Sequence, residues 1–178
     1  MNGSITRIMR SSSDQGERIS RRKKGEEEMK KLIMVILVVG LLAGMTTLAL
    51  AKGTAKEAKG MLDKAVSYYK ANGKDKAFAA FNDSKGQFVK EDLYIYVLDQ
   101  KGVVVSHGTN AKLIGQPLID LKDSDGKKFI KAILDEANAK GKGTMDYKWT
   151  NPTSKKVEQK SIFFEKVGDL VFACGYYK

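Results

Sequence analysis

The chain has 178 residues, with 32 Lys or Arg against 21 Asp or Glu, a formal charge of +11, one cysteine and one histidine. A single cysteine excludes an intrachain disulfide, a CxxCH haem attachment and a CxxC redox pair, so the fold must hold by packing alone. No arginine follows Arg22, and residues 52–178 carry 23 lysines against 16 acids, a +7 excess with no guanidinium fork to read bases or clamp phosphate; nucleic-acid binding is not expected and the charge fits solubility best.

In chain order, residues 1–28 hold all five arginines (Arg7, Arg10, Arg18, Arg21, Arg22) and differ in composition from the rest of the chain. The run Lys24-Gly25-Glu26-Glu27-Glu28 back-translates to purine-rich codons that can contain GGAGG, so these residues are expected to be an upstream leader misread as protein; the alternative is a long basic n-region. Met29 to Ala51, MKKLIMVILVVGLLAGMTTLALA, has two lysines, an apolar core from Leu32 through Ala43 and the small-x-small exit Ala49-Leu50-Ala51 of a bacterial export signal, with cleavage before Lys52. Leu32 to Ala51 is also twenty residues without a charge, the span of an uncleaved anchor. Either way the product is expected to be exported, periplasmic or extracellular, and in the uncleaved form tethered to the inner membrane by residues 32–51.

From Ala58 the apolar positions Met61, Leu62, Ala65, Val66 and Tyr69 follow a helical stripe that Asn72-Gly73 stops. A short helix over about Asp75 to Phe81 and a loop from Asn82 to Gly86 come next. Leu93 to Leu98 (LYIYVL) and Val103 to His107 read as a hairpin joined by Asp99-Gln100-Lys101-Gly102. A third helix is marked by Phe129, Ile130, Ile133, Leu134 and Ala137, with Asp123-Ser124-Asp125-Gly126 as turn and N-cap for a start at Lys127. Three strands complete the chain, Thr144 to Thr150, Val157 to Lys166 and Leu170 to Tyr177, separated by turns short enough for an antiparallel meander. This order predicts an α+β fold, a PAS-like five-stranded antiparallel sheet with one face under the long N-terminal helix and the other, covered by the crossover, enclosing a small cavity.

No HExxH, GxSxG or Walker loop occurs, the lone His107 has no nucleophile signature around it, and the acidic loop at Asp123 has Leu134 where a calcium loop needs its closing glutamate. Neither an enzyme nor a metal or other cofactor is expected. Cys174, inside an apolar run, reads as a buried small hydrophobe. The chemistry lies on the strands: Tyr94 and Tyr96 share one face, with Leu93, Ile95 and Val97 on the other, Tyr147 and Trp149 share a face, His107 ends its strand, and Lys160 sits where a lysine is costly to bury. Converging in a cavity, these groups would offer a cation and several donors to a carboxylate, with an aromatic wall for its short tail.

The stretch from about Lys52 to Lys178, with the segments AVSYYKANGKDKAFAAFND, LYIYVLDQKGVVVSHG, KLIGQPL, MDYKW, KVEQKSIFF and ACGYY, resembles the single Cache domain, type 2, of bacterial extracytoplasmic sensors. The resemblance implies a pocket for small organic acids such as acetate, propionate, pyruvate or lactate, as in chemoreceptors and sensor kinases, with Tyr96, His107, Trp149 and Lys160 as contacts, Tyr147 in the wall and Lys112 of the KLIG loop as a further contact. Two departures stand out. Phe163 takes a place where the family often has tyrosine, removing a hydroxyl donor, and the chain ends directly after the last strand, where family receptors continue into a second membrane helix and a signalling module. The expectation is therefore a stand-alone binding or sensing domain acting through a separate partner such as a membrane receptor; the alternative is a protein-interaction module with a vestigial pocket, partner of a receptor or a redox protein.

Overall fold

Helix α1 (Ala55–Asn72) starts where Thr54 and Glu57 cap each other: the Glu57 N–H donates to Thr54 Oγ1 and the Thr54 N–H to Glu57 Oε2 at 2.9 Å. Gly73, at φ +76°, closes it with an N–H to Tyr69 O and turns the chain straight into α2 (Lys74–Asn82), a backbone shape that a side chain would strain. The computed structural model describes Met29 and residues 52–178; the leader, export-signal and anchor expectations fall on the remainder of residues 1–51 and lie outside the described residues. Among the described residues no helix is long and apolar enough to cross a membrane.

After α2 come β1 (Val89–Lys90), β2 (Leu93–Asp99), β3 (Val104–His107), a 3-10 turn over Ala111–Leu113, α3 (Phe129–Lys140), β4 (Lys142–Thr150), β5 (Val157–Val167) and β6 (Leu170–Tyr177). The five long strands form an antiparallel sheet in the order β3-β2-β6-β5-β4, and the two-residue β1, which the periodicity does not reveal, pairs with the start of β2 on the edge that β3 uses further along. A period of two along each strand sorts residues between two cores. Leu93, Ile95, Val97, Phe172 and Cys174 face α1 and α2; Tyr94, Tyr96, Leu98, Tyr147, Ile162, Phe164 and Ala173 face the crossover and α3.

The helix-side core is the stabilising half. Phe81, Phe88 and Phe172 are fully buried, with Phe81 edge-on to Phe88 at 4.7 Å and to Phe172 at 6.2 Å, and each buried ring contributes roughly 1.5–3 kcal/mol. Cys174 lies in this core, where burial pushes its thiol up to about 12, as an inert hydrophobe requires.

The start of α3 differs from expectation. The helix begins at Phe129, and Lys128 at its N-cap makes no side-chain cap. Asp123 spends its carboxylate elsewhere: Oδ1 accepts the N–H groups of Asp125 and Lys127 at 3.0 and 2.9 Å, and Oδ2 accepts the Lys148 N–H at 3.1 Å on the free edge of β4. Lys127 Nζ donates to Asp146 O at 2.6 Å, so the loop is riveted to the sheet edge and holds the crossover over the cavity side.

A second polar tie joins the two ends of the domain. Buried Asp92 accepts the Gly53 N–H at 2.7 Å and Asn151 Nδ2 at 3.3 Å, linking the chain entering α1 to the β4–β5 turn. Removing this carboxylate strands two buried donors, so Asp92→Ala is expected to lose about 3 kcal/mol of stability in urea unfolding, while Asp83→Ala at an exposed turn changes it by less than about 1 kcal/mol.

Candidate functional site

Between the sheet and the crossover lies a narrow cleft of about 20 Å³, room for about one water, that opens to solvent. Tyr94 and Tyr96 of β2 with Val104 and His107 of β3 form its floor, Tyr147 and Trp149 of β4 one wall, Leu113 and Leu118 of the crossover and Phe129 and Ile130 of α3 its cover. Phe129 stacks on Tyr147 at 4.2 Å, nearly parallel, and meets Trp149 edge-on at 5.5 Å. The mouth is shaped by Thr109, Asn110, Asn151, Pro152 and Lys155.

Strand register creates the polar centre. Lys160 of β5 lies opposite Tyr147 of β4 and Tyr177 of β6, a row across three strands on the cleft-side face. Its side chain is fully buried, and Nζ alone among buried side-chain polar atoms of the described residues has no hydrogen-bond partner. Aromatic faces surround it instead, with Nζ at 3.8 Å from the centroid of Tyr94, 5.0 Å from Tyr177 and 5.9 Å from Tyr96. Cation–π contacts contribute about 2 kcal/mol when desolvated, against several kcal/mol for desolvating an ion, so this ammonium is under-compensated by the protein.

His107 is held as a neutral donor. Its Nδ1 accepts the backbone N–H groups of Thr109 and Asn110 at 3.3 and 3.1 Å, which leaves the proton on Nε2. Burial, then the nearby Lys160 charge, lowers its pKa to about 3. Asn82 at the end of α2 fixes the strand beneath it by accepting from Ser106 Oγ at 2.7 Å and from the His107 N–H at 3.0 Å. The hydroxyls of Tyr96 and Tyr147 lie 3.3 Å apart, and burial raises both pKa values, so both remain protonated donors. Tyr177 donates to Thr150 O at 2.9 Å.

The fold thus brings Tyr96, His107, Tyr147 and Trp149 together in one cleft and sets Lys160 directly beneath it. Lys112 is not brought there: it is exposed on the 3-10 turn, and its neighbour Leu113 covers the cleft. Phe163 is also elsewhere, on the helix-side face against Tyr176 at 6.3 Å, so its lack of a hydroxyl takes nothing from the cleft. Alternation along LYIYVL puts Tyr94 on the face of Tyr96 but does not place it over the charge, and Tyr177 is a neighbour of the charge that sequence reasoning misses, since it depends on the pairing of β5 with β6. Among the described residues no group of three or more His, Cys, Asp or Glu is placed to hold a metal ion.

A model of the family "Single Cache domain 2" matches residues 22–169. The chain belongs to the Single Cache domain 2 family. Cache domains are extracytoplasmic sensory domains rather than catalysts. Among solved structures, a methyl-accepting chemotaxis protein from Vibrio parahaemolyticus RIMD 2210633 is similar at 28% identity and a TM-score of 0.59, over 68% of this chain and 86% of that one. The periplasmic sensor domain of a chemotaxis protein matches at 24% identity and TM-score 0.54, over 68% and 88%. A Cache chemosensory domain described for carboxylic acid recognition matches at 22% and 0.54, over 68% and 86%. The latter two show the shared fold. No curated protein matches the chain.

This Cache site is open to two measurements. A Cβ on Gly175 would stand 2.5 Å from Lys160 Cε and 2.9 Å from Ser161 O, so Gly175→Ala is expected to displace the lysine stem and lose about 1–3 kcal/mol in thermal or urea unfolding. Because the folded His107 takes its proton only near pH 3, the unfolded chain binds more protons between that value and about 6.5. Stability is therefore full above pH 6.5 and falls on acidification, by up to about 1.4 kcal/mol per pH unit from this one group. Melting curves between pH 6.5 and 4.5 are expected to show that slope in the parent and a shallower one in His107→Gln.

Proposed function

We propose that residues 52–178 form an extracytoplasmic domain that binds a short monocarboxylate of the acetate, propionate, pyruvate or lactate class. The observation that carries the reading is the fully buried, unpartnered Lys160 ammonium beside a small cleft whose polar groups are donors. Lys160 supplies the one positive charge, neutral His107 an Nε2–H, Tyr96 and Tyr147 hydroxyls, and Trp149 an indole N–H and part of the wall. Phe129, Leu113 and Leu118 cover the carbon tail, and because the cleft holds only about 20 Å³ its cover must yield to admit even a few-carbon acid, which disfavours longer ones. A fold neighbour described as recognising carboxylic acids is in keeping with this chemistry.

Lys160→Met separates function from stability. Replacing an under-compensated buried charge by an apolar chain of similar shape is expected to leave the melting temperature unchanged or raised, while acid binding weakens at least about 30-fold. Isothermal titration of the purified chain with acetate, propionate, pyruvate and lactate, alongside thermal melts, measures both. Equal affinity in parent and variant, or no heat and no thermal shift with any of the four at millimolar concentration, would sink the reading.

A further inference from the structure

We propose that Tyr94 is the internal occupant of the anion site: its ring covers the Lys160 ammonium and must swing aside before an acid in the cleft reaches that charge. This rests on the carboxylate reading above and adds a conformational step to it. Tyr94 borders both the cleft and its mouth, whereas Lys160 borders neither, although its Nζ lies only 3.8 Å from the Tyr94 centroid. An acid in the cleft therefore meets the tyrosine face first. His107 packs against the same ring at 4.8 Å, so the tyrosine is seated between the cation and the donor that the carboxylate is proposed to engage together. Gly175 lies against the lysine stem, and Tyr94, itself only 2% exposed, is the group that separates the ammonium from the cleft and its mouth, so the ring is the part that must move.

The exchange is one of partners for a single charge. While Tyr94 is in place the ammonium is partly compensated by a π face; once the ring has turned, the carboxylate takes the N–H donors. A ring that competes with the ligand lowers apparent affinity, so Tyr94→Leu is expected to bind acetate about tenfold more tightly than the parent. Tyr94→Phe keeps the ring and is expected to stay within about threefold of the parent.

Reductive methylation with formaldehyde, read by peptide mass spectrometry in acid-free buffer, tests the cover without any ligand. Lys160 is expected to be protected in the parent and in Tyr94→Phe, and modified in folded Tyr94→Leu, with exposed Lys101 as the reference. Labelling of Lys160 in the parent as fast as Lys101, or unchanged protection in folded Tyr94→Leu, overturns the proposal. Should Tyr94→Leu not fold, stopped-flow fluorescence of Trp149, the chain's one tryptophan, decides it in the parent: with acetate the observed rate should level off as ring opening becomes limiting, and a rate that stays linear to saturation overturns it. Labelling as expected with no response to any acid sinks the carboxylate reading and leaves the cover standing.

Discussion

A lysine ammonium buried without a hydrogen-bonding partner is a strained arrangement, and much of the cleft-side half of this domain is shaped around it. Lys160 can lie inside the sheet because Gly175 on the neighbouring strand has no side chain to meet its stem, and because Tyr94, Tyr96 and Tyr177 present π faces to its charge. The same charge helps keep His107 neutral, and burial keeps Tyr96, Tyr147 and Tyr177 protonated. One cation and a ring of uncharged donors is a composition that favours a single negative charge and offers little to a neutral or cationic molecule.

Such a centre is sustainable because the two faces of the sheet divide the work. The helix side, with α1, α2 and the Phe81, Phe88 and Phe172 cluster, is apolar and closely packed. The crossover side takes the polar groups and the cavity, and its cover is held by Asp123 and Lys127 to the free edge of β4. Stability supplied on one face lets the other keep an under-compensated charge, the usual relation between a binding site and the fold that carries it.

Much of this is legible along the chain. Apolar periodicity locates α1, α2 and the five long strands to within a few residues, and alternation places Tyr94 with Tyr96 and Tyr147 with Trp149 on common faces. What escapes has particular causes. A two-residue strand such as β1 has no period to detect. Asp123 looks like a helix cap, but one carboxylate oxygen serves its own loop at Asp125 and Lys127 and the other a strand 25 residues away. Lys112 looks like a contact from its motif, yet one position along a 3-10 turn decides that Leu113 faces the cleft. Phe163 matches a motif position but stands an odd number of residues from Lys160, and in a strand that sends it to the opposite face.

Local periodicity and composition along the sequence suffice for the α+β class, the order of the elements and which residues share a face, and the resemblance of its motifs points to the family. They do not place Lys160 between Tyr147 and Tyr177, beneath the Tyr94 ring and against Gly175. Those neighbours come from strands β2, β4 and β6, and their meeting depends on strand order and register, which non-local hydrogen bonding and core packing set together in the folded domain.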